Sequence, residues 1–320
     1  MAVEIAEIAA QDDGIRLDRW FKRYIPSVSF VNIAKLVRQG YIMLDGRRVQ
    51  ISTRIQSAQK LSFPTSINLV HSTDVDLSTS KASSKNSIEI VQRLKDSILY
   101  QDEEIIVLNK HDGIAVQGGR KVGISIDDLL EHLKFDLPYK PKLVHRLDKD
   151  TSGVLLLART TEAACILSHI IRESLLDKTY LAILCGVPRP KVARIDMPLL
   201  KKRQHAINKE AQEPQKEYQH ALSLYEVLDS NDYVSLVKLM PKTGRKHQLR
   251  LHSAIIGHPI LGDSKYNTKE VREPLVENKL YLHSYITKFR YRDKELCIQA
   301  PLPPHFFNAL NAFGLAMQNL

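Results

Sequence analysis

Residues 143–157 read LVHRLDKDTSGVLLL, a polar segment between two apolar runs. This alternation predicts a strand, a loop and a second strand, an arrangement that holds a polar side chain at the rim of a sheet. Asp148 lies in the middle of the loop, where the charges of Arg146 and Lys149 would keep its carboxylate ionised and available as a nucleophile or base. The same spacing also suits an ordinary hairpin with Asp and Ser at turn positions, so the residues alone leave both interpretations open.

The positive charge of the chain is concentrated near its start. The 320 residues carry a formal net charge of +10, and between residues 14 and 63 ten basic side chains oppose two acidic ones. Such a surplus favours a polyanion-binding surface over a merely solvated basic face. The side chains that we expect to contact phosphates are Arg16, Arg19, Lys35, Arg38, Arg47 and Arg48.

The basic segment is patterned as a small domain. From Arg16 onward, apolar residues at helical spacing predict a helix that ends at Pro26; they are Leu17, Trp20, Phe21 and Tyr24. A second helix would stop at Gly40 and expose Lys35 and Arg38. Its predicted buried stripe consists of Phe30, Ile33, Ala34 and Val37. The pair Asp45 and Gly46 is typical of a tight hairpin turn. Residues 1–13 are acidic, and we expect them to be loosely ordered.

The rest of the chain predicts a second, larger domain. The expected boundaries are 14–70 for the basic domain, 71–90 for a linker rich in Ser, Thr, Lys and Asp, and 91–320 for the larger domain. Strand-like runs occur at 98–100, 104–108, 180–187 and 233–240. Two helices are predicted. One has a stripe made of Ala163, Ile166, Leu167, Ile170 and Ile171, and the other extends from 244 to 256 and stops at Gly257.

Cysteine use and hydropathy predict a soluble cytoplasmic protein without a membrane partner. Cys165, Cys185 and Cys297 are isolated and lack metal-ligand spacing, so we expect reduced interior thiols. Apolar runs such as residues 154–158 are far too short to span a bilayer, and no apolar stretch follows a basic start.

Three segments, in order, resemble the motifs of a known enzyme family. Residues 145–153, HRLDKDTSG, are similar to the signature loop of the ribosomal-large-subunit branch of pseudouridine synthases. Residues 178–182, KTYLA, resemble the second motif of that family, and residues 243–263, from TGRKHQLRLH to GHPILGD, resemble the third. Residues 14–63 resemble the RNA-binding domain first described in ribosomal protein S-four. The resemblance covers residues 14–63 and 96–301.

The resemblance implies roles for individual residues. Asp148 matches the catalytic nucleophile of the family, and Arg250 matches an Arg that lies against this carboxylate, with Arg245 as the competing candidate. Tyr180 matches a Tyr that stacks on the target base and takes a proton from carbon 5; by itself it would suit a strand Tyr packed in the core. Two further residues are expected to bind substrate. Leu249 would form an apolar wall, and Arg146 would either displace the target base or contact a phosphate.

The fold class implied is α+β. It comprises a pseudouridine synthase catalytic domain, with a largely antiparallel mixed sheet and a central cleft, and a small S-four-like α/β RNA-binding domain. The expected function is isomerisation of specific uridines in 23S ribosomal RNA or a large-subunit precursor. One alternative is an RNA-binding assembly factor with a decayed site, and another is a glycoside hydrolase that pairs Asp148 with Asp150.

No cofactor or metal is expected for this reaction. The chain has no P-loop and no Cys-pair zinc pattern. Four histidines could suggest a metal site together with Asp263, but their spacing matches no zinc motif; they are His145, His247, His252 and His258.

Overall fold

The computed structural model describes residues 3–25, 28, 30–65, 67, 84–118, 123–200, 217–267 and 276–317. Contacts divide the chain into two compact units, Met1–Lys81 and Ala82–Leu320. Each unit has a hydrophobic core of its own.

The described residues of the first unit form a four-stranded antiparallel sheet with two α-helices. Its sheet has the order β1-β4-β2-β3. The elements are β1 (Val3–Glu7), α1 (Leu17–Tyr24), α2 (Phe30–Gln39), β2 (Met43–Leu44), β3 (Arg47–Arg48) and β4 (Lys60–Pro64). The two predicted helices and the hairpin are confirmed. At the hairpin turn, Asp45 and Gly46 have φ of 50° and 72°, as a primed turn between twisted strands requires.

The prediction for the start of this unit was wrong. Residues 1–13 were expected to be loose, yet β1 pairs with β4 and so belongs to the sheet, which the expected domain start at residue 14 leaves out. Asp12 is fully buried because it accepts hydrogen bonds from Arg23 and from the Tyr24 hydroxyl of α1. A single buried carboxylate with two partners on the next helix has no periodic signature in the sequence.

The predicted core face of α2 was wrong at one position. Ile33 and Val37 are buried, but 59% of Phe30 is exposed. Phe30 is the first residue of the helix, and helical side chains lean toward the N-terminus, so its ring projects beyond the packed turns. Pro26, the predicted helix stop, lies outside the described residues, although α1 ends at Tyr24.

The expected linker overlaps a helix. Residues 71–83 lie outside the described part of the chain, but α3 occupies Ser84–Asp96 and therefore includes the last residues of the expected linker, 84–90. Ile90, Val91 and Leu94 pack against a core cluster of the second unit. This packing explains why a segment of polar composition begins a helix.

The second unit is built on a ten-stranded sheet. Its strands are β5 (Ile98–Gln101), β6 (Ile105–Lys110), β7 (Lys142–Leu143), β8 (Ser152–Ala158), β9 (Asp177–Cys185), β10 (Val192–Asp196), β13 (Leu222–Ser230), β14 (Val234–Pro241), β15 (Leu282–Tyr291) and β16 (Lys294–Gln299). The short β11 (Leu199–Leu200) and β12 (Tyr218–Gln219) pair separately. The helices are α4 (Ile126–Leu129), α5 (Thr161–Arg172), α6 (Gln248–Ile255) and α7 (Pro304–Phe313).

The large sheet is mixed but largely antiparallel, as predicted. Its order is β10-β13-β14-β9-β15-β8-β6-β5, with β16 added to β15 and β7 added to β8. Among the described pairings of this sheet, β8 with β15 is parallel and the others are antiparallel. The predicted strands at 98–100, 104–108, 180–187 and 233–240 are all present. The strand β9 begins three residues earlier than predicted, and the other ends lie within two residues of the prediction.

One glycine makes the parallel pairing possible. Gly153 has φ of +106°, and a Cβ there would lie 2.1 Å from the backbone oxygen of Ser284 on β15. No side chain fits at that distance, so the close approach of the two central strands requires glycine.

The cysteines differ from expectation in burial. Cys185 is buried, whereas Cys165 and Cys297 are exposed. Cys165 lies between the buried positions Ala163 and Leu167 of α5, on the solvent side of that helix. Within the described ranges, no helix has the length and apolar character needed to cross a membrane.

Candidate active site

The loop that carries Asp148 is held between paired strands. Leu143 of β7 pairs with Leu157 of β8, which confirms the predicted strand, loop and strand. His145 binds the start of the loop back to β8, because its Nε2 accepts a hydrogen bond from the Leu156 N–H at 2.8 Å. Burial lowers the pKa of His145 to about 3, so the ring is neutral and free to accept.

A buried lysine supports the loop from the other side. The Lys110 ammonium donates to the carbonyl oxygens of His111, Ile114 and Lys149 at 2.8, 2.9 and 2.9 Å. Burial lowers the pKa of Lys110 to about 7. Sequence reasoning missed Lys110; the available signal was a lysine at the end of the apolar run of β6, where an ammonium must find acceptors.

The two basic side chains beside Asp148 come from a distant part of the chain. Arg250 Nη1 lies 3.8 Å from one Asp148 carboxylate oxygen, and His247 Nε2 lies 3.6 Å from the other. Arg250 is the partner that the resemblance implied. The flanking Arg146 and Lys149, whose charges were also expected to act on Asp148, do not form ion pairs with it in the described structure; Arg146 instead donates to the Gln117 side chain at 3.4 Å. Successive side chains of an extended loop point in different directions, so neighbours in sequence need not be neighbours in space.

Arg250 has a second and closer carboxylate partner. Its Nε and Nη2 donate to the two oxygens of Asp263, each at 2.7 Å. Asp263 is buried and also accepts the backbone N–H groups of Lys265 and Tyr266. Burial alone would raise the pKa of Asp263, but the hydrogen bonds from Arg250 and the backbone lower it below its usual value. Sequence reasoning missed Asp263 as the partner of Arg250.

The residues before α6 form a hydrogen-bonded loop, not helix. The predicted helix start at 244 was wrong, because α6 begins at Gln248 after His247, whose φ of 53° is left-handed. The Gln248 side chain accepts from the Thr243 hydroxyl and the Arg245 N–H, which fixes this loop. The predicted end was right, since Gly257 follows α6 with φ of +80°. His247 Nδ1 lies 2.9 Å from the Tyr266 hydroxyl.

A cavity of about 300 Å³ brings together the predicted residues of the second unit. Its walls include Asp148, Tyr180, Arg250, Leu249, Arg146 and Arg245. Burial raises the pKa of Tyr180 to about 12, while a hydrogen bond with Ser284 opposes this rise. Arg245 lines the wall but donates its Nε to the His220 carbonyl at 2.9 Å, so the guanidinium paired with Asp148 is that of Arg250.

The predicted phosphate-contacting residues lie in the first unit. All of them are exposed, namely Arg16, Arg19, Lys35, Arg38, Arg47 and Arg48. Arg16 forms an ion pair with Asp18 at 3.0 Å, and Arg38 Nε donates a hydrogen bond to the Ala34 carbonyl at 3.2 Å.

The histidines that could have suggested a metal site with Asp263 have other partners. His252 lies between the Ser223 hydroxyl and the Met197 carbonyl, each at 3.0 Å, and His258 Nδ1 lies 3.0 Å from the Cys185 carbonyl. Over the part of the chain that the structure describes, no group of three His, Cys, Asp or Glu side chains is placed to hold a metal ion.

Similarity to known proteins agrees with this site. A family profile described as RNA pseudouridylate synthase matches residues 104–254, which include Asp148, Tyr180 and Arg250. Ribosomal large subunit pseudouridine synthase C of Rickettsia prowazekii (strain Madrid E) is 34% identical over 297 residues, which cover 91% of this chain and 95% of the relative. The chain belongs to the RNA pseudouridylate synthase family. The enzyme is also 29% identical to the protein of the same name from Pasteurella multocida (strain Pm70), over 97% of this chain and 94% of that one.

A solved structure supports the same assignment. Human RNA Pseudouridylate Synthase Domain Containing 4 matches 73% of this chain and 99% of its own, with a TM-score of 0.64 and 29% identity. The predicted enzyme class, an isomerase of the pseudouridine synthase type, is therefore confirmed. These matches give no support to a glycoside hydrolase. The likeness of residues 14–70 to the S-four-like domain stays a prediction.

Proposed function

We propose that this enzyme converts specific uridines of 23S ribosomal RNA to pseudouridine, with Asp148 as the nucleophile. The observation that carries the proposal is one cavity in which an Asp148 carboxylate, an Arg250 guanidinium and a Tyr180 ring converge. The substrate is inferred from relatives that are named for the ribosomal large subunit. Such a substrate also implies a cytoplasmic protein.

The reaction moves one bond and conserves all atoms. The bond from the sugar to nitrogen 1 of uracil breaks, a bond from the sugar to carbon 5 forms, and the proton on carbon 5 moves to nitrogen. The Asp148 carboxylate would add either to the anomeric carbon or to the uracil ring, and it would leave again when the new bond forms. Electrons balance without an added reagent, so the proposal includes no cofactor.

Arg250 would orient Asp148 for attack. A guanidinium beside a carboxylate attracts it and favours a fixed geometry of the pair. Because Asp263 holds Nε and Nη2 of Arg250, the remaining Nη1 is directed to Asp148. The guanidinium thus positions the nucleophile while it is itself held in place.

Tyr180 and Leu249 would bind the displaced base. With its pKa raised to about 12 by burial, the Tyr180 phenol is protonated at neutral pH, which suits stacking on uracil. Proton removal from carbon 5 by Tyr180 would first require loss of its own proton. Leu249 is 7% exposed and offers an apolar wall.

A nucleotide reaches this cavity only after it leaves its helix, because a stacked nucleotide shields its anomeric carbon. Arg146 is exposed and borders the cavity, so we propose that it occupies the space that the displaced base vacates. Arg245 and the exposed basic residues of the first unit would contact phosphates without reading sequence.

The proposal is tested by mapping pseudouridines in 23S ribosomal RNA and by the isosteric substitution Asp148→Asn. Cells that lack the protein should lose pseudouridine at defined positions of 23S ribosomal RNA, and the wild-type gene should restore them. Asp148→Asn should not restore them, and in vitro it should abolish tritium release from RNA labelled at carbon 5 while RNA affinity stays within a few-fold of wild type.

The outcomes separate the alternatives. A normal pseudouridine map in cells without the protein would refute the substrate and would favour an assembly factor. Substantial tritium release by Asp148→Asn would refute the assignment of the nucleophile, whatever the map shows.

A further inference from the structure

A second cavity adjoins the base pocket and is rich in positive charge. It encloses about 310 Å³ and shares Lys178 and Arg245 with the cavity that contains Asp148. Its walls carry four cationic side chains, Arg172, Lys178, Lys242 and Arg245, against the single carboxylate of Asp177. We refer to it as the flank cavity.

Three of these cations already have protein partners. Lys242 pairs with Asp177 at 3.3 Å, and Arg172 pairs with Glu173 at 3.2 Å. The Arg245 Nε donates to the His220 carbonyl. Lys178 is therefore the cationic side chain of the flank cavity whose partner has not been accounted for.

Lys178 is half-buried, and within the described ranges its ammonium makes neither a hydrogen bond nor an ion pair. Burial lowers its pKa, and no carboxylate offsets this effect. Lys178 precedes Tyr180 by two residues on β9, so both side chains leave the same face of the strand. An unpaired, partly desolvated ammonium is costly, and such groups gather where a ligand supplies the missing charge.

We propose that Lys178 binds a phosphodiester of the RNA backbone in the flank cavity, one of the two that flank the target uridine. The inference rests on the proposed function, because a base held in the pocket of Asp148 and Tyr180 brings its covalently attached phosphates to the adjoining space. A lysine ammonium binds phosphate as a compact point charge and needs no fixed approach direction. Lys178 is thus a substrate-binding residue at the boundary between base and backbone.

The test combines a protein change with a matching RNA change. The probe is a short RNA that contains a mapped target uridine, with each flanking phosphate replaced in turn by an uncharged methylphosphonate. Lys178→Met should lower kcat/KM on natural RNA by roughly ten- to hundredfold, as expected for a lost charged hydrogen bond. One methylphosphonate should cost the wild-type enzyme a similar factor, and the Lys178→Met enzyme should lose nothing further from that replacement.

Additive losses would overturn the proposal, because they would mean that Lys178 and the phosphate act separately. It would fall equally if neither methylphosphonate affected the wild-type enzyme, a result that does not depend on any variant. Wild-type tritium release on natural RNA is measured in parallel. Its absence would refute the proposed function itself, whereas normal release with additive losses would refute the phosphate site alone.

Controls separate binding from folding. Lys242→Met removes a cation from the same cavity, but one that is paired with Asp177, so its effect on kcat/KM should be smaller and should be independent of the methylphosphonate. The thermal midpoint of Lys178→Met should not fall, because Met keeps the apolar stem and removes an unpaired charge. Lys178→Gln provides a second variant with the same expected RNA response.

Discussion

At Arg250 two carboxylates share one guanidinium. Asp263 takes the stronger, bidentate contact at 2.7 Å, and Asp148 is left with a looser contact at 3.8 Å. The two unequal contacts suit the proposed reaction. Asp148 would have to leave its ion pair to react, whereas the Arg250 guanidinium would have to stay in place. The buried Asp263 thus holds the guanidinium in place and leaves Asp148 in the looser contact.

Arg250→Met should therefore lower turnover by several orders of magnitude, since it leaves both Asp148 and Asp263 without their cation. It should also destabilise the fold by about 3–5 kcal/mol, the usual effect of breaking a buried ion pair. Arg245→Met is the matched control and should do much less on both counts, because Arg245 is exposed. Single-turnover tritium release and urea unfolding measure the two effects. Equal or reversed ranking of the variants would refute Arg250 as the partner of Asp148.

A buried histidine next to the site predicts acid sensitivity. His283 Nε2 donates to the Ala300 carbonyl at 3.2 Å, so the neutral ring accepts the Ser152 hydroxyl at Nδ1, 2.8 Å away. Burial lowers the pKa of His283 from 6.5 to about 4. Between these values the unfolded chain binds a proton that the folded chain does not, so stability should fall as pH decreases from about 6.5 toward 4.

The free energy of unfolding, measured in urea at pH 7, 6 and 5, checks this prediction. His283→Asn retains an acceptor for Ser152 and should give a shallower dependence on pH, with His145 accounting for part of the remainder. An unchanged pH slope in that variant would show that His283 is not a source of the acid sensitivity.

At the level of elements, the parallel pair β8 and β15 positions the site. Ser152 and Gly153 pair with His283 and Ser284, and Ser284 in turn bonds Tyr180 on β9. The spacing of these strands therefore sets the distance between the Asp148 loop and Tyr180. The left-handed Gly153 is what permits this spacing.

Gly153→Ala should destabilise the protein by at least about 2 kcal/mol, because it adds a Cβ against the Ser284 carbonyl and strains the backbone at φ of +106°. Turnover should fall as well, since any shift of Ser284 also moves Tyr180. Gly123→Ala is a suitable control, because a Cβ there would meet nothing within 4 Å. Thermal unfolding of the two variants tests this prediction, and equal midpoints would contradict the role given to Gly153.

At the scale of the whole molecule, the proposed RNA-binding charge and the proposed catalytic residues lie in different units. The first unit has its own core and carries the exposed basic residues, and the second contains Asp148, Tyr180 and Arg250. A basic surface that contacts phosphates raises affinity without adding specificity and makes binding sensitive to salt.

A triple variant, Lys35→Gln, Arg38→Gln and Arg47→Gln, should weaken RNA binding and reduce its salt dependence by roughly one unit of log-log slope per lost phosphate contact. Turnover at saturating RNA should change much less, because these residues lie outside the unit with the catalytic cavity. Dissociation constants measured from 50 to 200 mM salt provide the readout. An unchanged slope would mean that this surface is only solvated.

Much of the fold was predictable from the sequence because it depends on residues close together in the chain. Alternating or continuous apolar runs identified β6, β8, β9 and β14, and helical spacing identified α1 and α5. The turn at Asp45 and Gly46 could be predicted from these two residues alone. The predictions failed where a segment was ordered by distant partners, as at β1 and Asp12, or where packing offset a polar composition, as in α3.

The sequence by itself therefore determined the class of fold, the family and the position of the Asp148 loop, since motifs and periodicities are written in local order. The resemblance also predicted Arg250 as the partner of Asp148, but only the tertiary structure showed that Asp263 holds this guanidinium and that His247 lies on the other side of the Asp148 carboxylate. Asp263, His247 and Lys110 hold that loop and its partner through hydrogen bonds and ion pairs between residues far apart in sequence. Such contacts depend on the directions and distances between side chains and leave no periodic pattern in the sequence. They form only once the strands and α6 have packed.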